Sequence, residues 1–554
     1  MDFVKIFIEL GKYNSLFNMK RNQKLVILPL LALFLGGCFS TSGKSKKKQS
    51  SNSQSRHSQS SQNSQSQSES VSVPEVDPTI EKTKLLYDYD DYNANNAYGT
   101  DNCPLTGNSK LLIIPIWFND SSNYIISDKK ESVRSDIEKA YIGTNDETGW
   151  RSVKTYYQEE SLNKLNLQAT VADWYSTGTN SSTYKNGGVY QTLLLVETAS
   201  DAYFTNHSDE KRTDYDTNGD GYLDGVMLIY AAPNEYDTNF WAYCYWLQQN
   251  EPNKTNPVAK TFFWASYDFM YDSYNIVSHT GKSGNGGGDC TNCQIDAHTF
   301  IHEMGHVLGL EDYYDYNQST AYCPAGGFSM QDWNMGGHDP YSVMAYGWAE
   351  PFIPTSTTTI HLRNFQATHD LILLANHEVD SPFDEYILLE LYSPTGLNEF
   401  DCKHSYNAYD KGPQEAGIRL WHVDARLVYA TAQAGDDYNW SNEFITDPTY
   451  SEDTYGVYHV MANSYGGSYA SVKGSSYYNY NLLQVIRNST KATYKEREQI
   501  QSGELFKQGS SFDMSTYKAQ FYNSGKMNTQ KSLGWSFTVD SLDATQATIT
   551  VTKE

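Results

Sequence analysis

Apolar and polar positions follow two different patterns along the chain, with the change near residue 355. Before that point, apolar runs of strand length at 111–117 and 225–231 and an alternating run at 166–174 stand between segments with helical spacing at 132–141, 153–165 and 189–203. Strands that alternate with helices are typical of an α/β arrangement. The pattern therefore predicts an α/β domain over residues 80–355.

After residue 355 helical periodicity becomes scarce. Short β-rich runs at 357–362, 386–391, 418–423 and 547–551 are separated by turn residues. The sequence therefore predicts a β-rich accessory region over residues 356–554.

The N-terminal part is not patterned like a folded domain. A positive start at Met19 is followed by an apolar run at 25–37 and then Cys38, and this run is too short for a permanent transmembrane helix. Its end, Leu-Gly-Gly-Cys, resembles the lipobox of bacterial lipoproteins, which implies that Cys38 is lipidated. We expect a signal peptide over 1–38, a disordered Ser/Gln-rich tether over 39–79, and an extracytoplasmic protein that a lipid holds at the cell membrane or that is shed. The alternative is an ordinary signal peptide in which the cysteine occurs by chance.

The net charge of −25 excludes one class of partner. The first 56 residues are basic, so the body of the chain carries all of the excess acidity and repels nucleic-acid backbones. Six cysteines remain after Cys38, which permits disulfides in an exported protein, although the pairing cannot be deduced. Cys290 and Cys293 have no second pair to complete a structural zinc site, so a disulfide or two thiols is the expected state, and Cys103 is expected to be half of a disulfide.

The chemistry is concentrated in the segment 298–312, which reads HTFIHEMGHVLGLED. Residues four apart on a helix lie on one face, so His302 and His306 can hold one zinc ion through two ring nitrogens. Glu303 lies beside the metal without binding it, where a carboxylate can act as a general base. The alternative is a helix whose histidines are satisfied in the core.

A hydrolytic zinc site needs a third protein ligand and an open position. Gly309 is placed to end the helix in a left-handed conformation, which lets Asp312 return to the metal. His298 extends the same helical row but lies one turn too far from the ion, so we assign it a structural or supporting role.

The 302–312 string resembles the H-E-x-x-H-x-x-G-x-x-D motif of the immune inhibitor A family of secreted bacterial metalloproteases. The resemblance extends over about residues 100–430 and is strongest in this string. It implies a zincin-like catalytic domain, zinc on His302, His306 and Asp312, and catalysis by Glu303. It also implies that Met335 belongs to a methionine-containing turn beneath the metal.

A second metal signal lies at Asp216, Asn218, Asp220, Tyr222 and Asp224. These oxygen donors, with glycine at position 6, follow the start of an EF-hand-type calcium loop, whereas Met227 stands where the bidentate glutamate would be. The sequence therefore predicts a calcium-binding loop that braces the fold, with an Asx-rich turn as the alternative.

Three residues after the methionine turn are candidate donors to an oxyanion, namely His338, Tyr341 and Tyr346, and each is equally well a buried hydrogen-bonded residue. Together these signals predict a zinc metalloendopeptidase that hydrolyses peptide bonds of protein or peptide substrates. The rival is a surface adhesin or solute-binding lipoprotein with a structural metal site. Structural zinc sites usually close all four positions with protein ligands, which favours the enzyme.

Overall fold

The structure is a computed structural model, and the part of the chain that it describes begins at residue 80. It covers residues 80–95, 103–236, 238–247, 250–271, 275–282, 295–314, 324–332, 335–406, 410–432, 438–450, 457–458, 473–474, 477, 480–492, 494 and 498–554. The predicted signal peptide, lipidation site Cys38 and tether lie outside the described residues, as do Cys290, Cys293 and Cys323. Within the described ranges, no helix has the length and apolar character needed to span a bilayer.

The first half contains most of the helices. In chain order its elements are α1 (Tyr89–Asn95), β1 (Gly107–Trp117), α2 (Lys130–Ile142), α3 (Asn145–Thr148), α4 (Val153–Glu160), β2 (Leu165–Val171), β3 (Tyr175–Ser176), α5 (Ser181–Gly187), α6 (Val189–Asn206), β4 (Val226–Tyr230), β5 (Tyr243–Trp246), β6 (Thr261–Ser266), α7 (Asn275–Thr280), α8 (His298–Val307) and α9 (Pro340–Ala345).

A six-stranded mixed sheet organises this half, in the order β2-β1-β4-β6-β5 with β3 also paired to β1. Strand β1 is parallel to β2, β3 and β4, and β4 is parallel to β6, whereas β5 is antiparallel to β6 at the edge. Apolar side chains cover both faces of β1 and β4, as expected for strands buried between layers. Helix α8 packs against β5 and β6, which places the histidines of segment 298–312 beside the antiparallel edge strand.

The second half is mostly β-structure. Its elements are β7 (Thr358–Arg363), α10 (Phe365–Thr368), β8 (Leu371–Leu374), β9 (Glu385–Tyr392), α11 (Asn398–Lys403), β10 (Gly417–Asp424), β11 (Leu427–Ala432), β12 (Tyr438–Ile445), β13 (Val457–Tyr458), β14 (Leu483–Ile486), β15 (Ser511–Phe512), β16 (Trp535–Leu542) and β17 (Gln546–Lys553). They form antiparallel sheets in the orders β14-β10-β9-β8, β12-β11-β13 and β15-β16-β17-β7.

One apolar core extends across residue 355. It includes Phe300 and Met304 of α8, Leu388 of β9 and Trp421 of β10. A second core lies between the β8–β10 strands and the C-terminal β16–β17 hairpin. The helical half therefore rests on the β9–β10 sheet through a continuous buried contact, so the two predicted regions share one core.

Candidate metal centre

Helix α8 presents two histidines on one face. Phe300, Ile301, Met304 and Val307 are buried and anchor the opposite face in the core. His302 and His306 lie one turn apart, with ring centroids 4.9 Å from each other and ring planes nearly perpendicular. Both imidazoles therefore leave the same side of the helix, as their spacing predicts.

The chain reverses directly after this helix. Gly309 has φ +103°, which confirms the predicted left-handed turn, and Leu310 N donates to Gly305 O over 3.0 Å. The turn brings Asp312 back to the histidines, where its Oδ1 lies 3.0 Å from His302 Nε2 and 3.3 Å from His306 Nε2. Ligand atoms of the three side chains lie within 4.8 Å of one another, and among the residues that the structure describes they form a group able to share an ion.

The hydrogen bonds of the outer ring nitrogens set the tautomers of both histidines. His302 Nδ1 lies 2.8 Å from Met330 O, and His306 Nδ1 lies 2.7 Å from Leu310 O. A carbonyl only accepts, so each Nδ1 carries hydrogen, and the Nε2 of each ring is the nitrogen that faces the Asp312 carboxylate. The two Nε2 atoms and the carboxylate oxygen thus face one another, an arrangement that a proton or a metal cation stabilises.

The electrostatics of the three side chains agree with a cation site. Burial would lower the pKa of His306, but the Asp312 carboxylate raises it to about 10. Burial would likewise raise the pKa of Asp312, yet the two histidines hold it well below its usual range. The pocket thus favours added positive charge, and two imidazole nitrogens with one carboxylate oxygen are donors that zinc accepts. The residues present fit the predicted metal.

Glu303 lies beside this group with one oxygen available. Its side chain is buried, and Oε2 has no hydrogen-bond partner among the residues that the structure describes. Burial raises the pKa of its carboxyl, opposed by the nearby His306 and His302. A buried carboxyl oxygen without a partner is costly, which makes Glu303 a candidate for a chemical role beside the three donors.

His298 is separate from the three-residue group. Its ring centroid lies 6.4 Å from that of His302 and 4.5 Å from that of Tyr406, and its backbone N donates to Asp296 Oδ1 over 2.8 Å. The ring thus packs against Tyr406, in keeping with the supporting role that the sequence predicts.

Met335, of the predicted methionine turn, and the three oxyanion candidates that follow it are all in the core. Met335, His338, Tyr341 and Tyr346 are all buried. Tyr346 OH donates to Gly305 O of α8 over 3.1 Å, and burial lowers the pKa of His338 to about 3, so that ring is neutral. Tyr346 thus supports α8 from the core, and the oxyanion role of these residues stays a prediction.

Several supporting contacts carry no sequence signal. Tyr157 OH donates to Ile301 O over 2.8 Å, just before His302, as Tyr346 does just before His306. The carbonyls of Met330 and Leu310 orient the two rings, and a backbone carbonyl is the same at every residue. No motif could therefore have identified them.

The predicted calcium loop is held by its own hydrogen bonds. Asp216 accepts from the backbone N of Asp220 (3.0 Å) and Gly221 (3.1 Å), and Asp220 accepts from Tyr222 N over 2.8 Å. Asn218 Oδ1 also accepts from Asp220 N over 3.1 Å. This is the geometry of Asx turns.

Asp224, the last predicted calcium ligand, lies apart from that pattern. It is fully buried and accepts from Ser109 Oγ, Lys110 N and Thr217 N and Oγ1. Its carboxylate thus joins the loop to β1, which favours the Asx-turn alternative at this position. The calcium assignment stays a prediction.

Three of the cysteines are described, and all three are buried: Cys103, Cys244 and Cys402. Cys103 Sγ lies 3.0 Å from Ser109 Oγ. Because the other cysteines fall outside the described residues, disulfide pairing, including that of Cys103, stays a prediction.

Comparison with known proteins gives distant metalloprotease relatives. No family model matches the chain. The chain is 26% identical over 250 residues to the pre-pro-metalloprotease PrtV of Vibrio cholerae serotype O1, covering 40% of this chain and 25% of that protein. It is 26% identical over 245 residues to Immune inhibitor A of Bacillus thuringiensis subsp. alesti, covering 39% of this chain and 32% of that protein.

The chain thus spans about a quarter to a third of the length of these curated relatives. The similarity supports a metalloprotease relationship and, with the His-His-Asp group, a metal-dependent function. The zinc ligands, the catalytic residue and the cellular location are finer statements and are argued below.

Proposed function

We propose that the protein is a zinc metalloendopeptidase with a zincin-like catalytic domain, in which His302, His306 and Asp312 hold the metal. The observation that carries this proposal is the grouping of His302 Nε2, His306 Nε2 and Asp312 Oδ1, beside a buried Glu303 oxygen that has no hydrogen-bond partner among the described residues. The metalloprotease relatives support the same class of reaction.

His302, His306 and Asp312 would hold the zinc ion through three ligand atoms. When bound, the ion would supply Lewis-acid chemistry, polarising the scissile carbonyl and lowering the pKa of the attacking water. Glu303 accepts the proton of that water on its carboxylate and delivers it to the departing amine nitrogen. The carboxylate is thereby regenerated, so it acts as base and then as acid.

The substrate binds along the antiparallel edge strand. Strand β5 pairs with β6 on one side only within the described sheet, so its other edge can pair with an extended peptide. Helix α8, which carries the two histidines, packs against β5, so this edge lies beside the metal group. Main-chain pairing of this kind suits internal segments of protein substrates.

The decisive test is casein or gelatin cleavage by the full chain and by Glu303→Gln, each with zinc content measured. We expect Glu303→Gln to keep zinc and to lose about 10²- to 10⁴-fold in kcat/KM, the usual contribution of a general acid–base group. Glu160→Gln is the matched control, because Glu160 is also buried with one oxygen that has no partner in the described part of the chain, while its other oxygen accepts from His338 N. Equal cleavage by wild type and Glu303→Gln refutes the mechanism. Zinc binding without cleavage by either supports a structural metal site in an adhesin or solute-binding lipoprotein.

The extracytoplasmic lipid anchor belongs to the same proposal and rests on the sequence around Cys38 alone. We expect Cys38→Ser to move the protein from the membrane fraction to the medium and to abolish labelling by a fatty-acid analogue. Membrane association that persists unchanged in this variant contradicts the anchor.

A further inference from the structure

One loop, residues 324–332, holds the metal group at two points. Met330 O accepts from His302 Nδ1 over 2.8 Å, and the next carbonyl, Gln331 O, accepts from Tyr313 N over 2.8 Å. Tyr313 directly follows Asp312, so two adjacent carbonyls of one loop orient a histidine and fix the chain that carries the aspartate. Any shift of this loop displaces both.

Residues from the C-terminal region hold this loop in turn. Val485 N, in β14, donates to Pro324 O over 2.8 Å, and Ile500 N donates to Gly326 O over 3.0 Å. Val485 and Ile500 are buried. The loop is therefore paired through its backbone with two segments that lie far later in the sequence, within the region predicted to be accessory.

Loop 324–332 approaches the C-terminal segments too closely to carry a side chain at positions 326 and 327. Gly326 and Gly327 have φ +75° and +76°. A Cβ added to Gly326 would lie 2.7 Å from Val485 Cγ1, and one added to Gly327 would lie 2.6 Å from Gln499 Cγ. Only glycine allows both this backbone conformation and this approach.

Arg487 joins the two supporting segments. Its side chain is buried, and Nη1 donates to Glu504 Oε2 over 2.9 Å while Nη2 donates to Glu498 O. Its guanidinium also lies 3.7 Å from the Tyr494 ring centroid. The chain around 485–487 and the chain around 498–504 thus form one unit behind the loop.

We infer that the segments around Val485 and Ile500 form a positioning element of the metal centre, acting through loop 324–332 on His302 and Asp312. This inference rests on the proposed function only for its effect on catalysis, because the metal site can be measured by itself. The partners that orient metal ligands typically contribute about 10- to 100-fold in metal affinity or activity. The region after residue 355 is then part of the metalloprotease unit.

The test is Gly327→Ala in the full chain. Gly509→Ala is the matched control, since Gly509 has φ +81° but no atom within 4 Å of an added Cβ. Both variants strain the backbone, whereas only Gly327→Ala pushes the loop against Gln499. Zinc affinity is measured by chelator competition, and the visible spectrum of the Co²⁺-loaded protein reports the ligand geometry.

We expect Gly327→Ala to bind zinc about 10- to 100-fold more weakly and to alter the Co²⁺ spectrum, with both unchanged in Gly509→Ala. Adding Gln499→Ala to Gly327→Ala removes the colliding Cγ and is expected to restore part of the affinity and the wild-type spectrum. Wild-type affinity and spectrum in Gly327→Ala overturn the inference. A loss that Gln499→Ala does not relieve also overturns it, because the strain would then be local.

If circular dichroism shows that Gly327→Ala does not fold, Arg487→Lys tests the same inference. Lysine keeps the positive charge but cannot make both hydrogen bonds of the guanidinium. We expect weaker zinc binding there, and not in Arg363→Lys, whose arginine pairs with Asp370 through two nitrogens at 2.7 and 3.1 Å. Equal zinc affinity in these two lysine variants overturns the inference. A wild type that binds zinc tightly but cleaves no peptide refutes the proposed function alone, since the affinity comparison is unaffected.

Discussion

Gly309→Ala is the most direct test of how Asp312 reaches the histidines. Gly309 has φ +103°, a conformation that residues with a side chain rarely adopt. The added Cβ would lie 3.1 Å from Tyr89 Cδ1 and 3.2 Å from Asn93 Nδ2, both on helix α1. The substitution therefore strains the backbone at a point where the neighbouring helix leaves little room to relax.

The expected magnitude follows from that strain. A residue held in an unfavourable backbone region costs about 1–3 kcal/mol. The turn can relieve this cost by moving Asp312 away from His302 Nε2 and His306 Nε2, at the expense of the metal. Because about 1.4 kcal/mol corresponds to tenfold in an equilibrium constant, we expect zinc affinity to fall roughly 5- to 150-fold.

The assay is zinc competition with a chromophoric chelator, compared with Gly107→Ala. Gly107 has φ +82° and no atom within 4 Å of an added Cβ, so it carries comparable strain at the start of β1, away from the metal group. Zinc affinity in Gly309→Ala equal to that in Gly107→Ala would refute the reasoning, because the turn would then not be what delivers Asp312.

Three further predictions concern stability. Tyr157→Phe loses the hydrogen bond to Ile301 O and is expected to be about 0.5–1.5 kcal/mol less stable in urea; a loss no larger than that of Tyr190→Phe, at an exposed position, contradicts this. Burial raises the pKa of Glu160 from 4.5 to about 8, so between these pH values the folded state keeps a proton that the unfolded state has released, and stability falls as pH rises. Glu160→Gln is expected to flatten this fall in denaturation midpoints, and an unchanged slope counts against it. Chelation is expected to lower the melting temperature of the wild type, because zinc at ~1,000 times its Kd stabilises the folded state by about 4 kcal/mol. The melting temperature of His306→Ala is expected not to change on chelation. A wild-type melting temperature that chelation leaves unchanged excludes a tightly bound ion.

The sequence pattern was sufficient to predict those features whose geometry depends on neighbouring residues. The four-residue spacing of His302 and His306 places both rings on one side of any helix, and Gly309 supplies the left-handed turn that returns the chain. The apolar run at 111–117 lies within β1, and the β-rich runs after residue 355 coincide with β7, β9, β10 and β17 to within two residues. Each of these features depends on residues within one or two turns of one another.

Local pattern failed at one helix end. The helical spacing at 153–165 predicted one helix, whereas α4 ends at Glu160 and β2 begins at Leu165. Leu162 and Asn163 take φ +50° and +65°, which ends the helix. Leu165 is apolar because it is buried in the sheet. Its position in step with the helical spacing of the preceding residues is a coincidence.

The sequence by itself determined which side chains can meet at a metal, because helix spacing and one turn set their directions. Only the tertiary structure decided what holds them there: the Met330 carbonyl on His302, the Tyr157 hydroxyl on α8, and the backbone of Val485 and Ile500 on loop 324–332. These contacts join segments that are distant in sequence, many through backbone groups that every residue has. Hydrophobic periodicity indicates which face of an element is buried, but it carries no information on which distant segment covers that face.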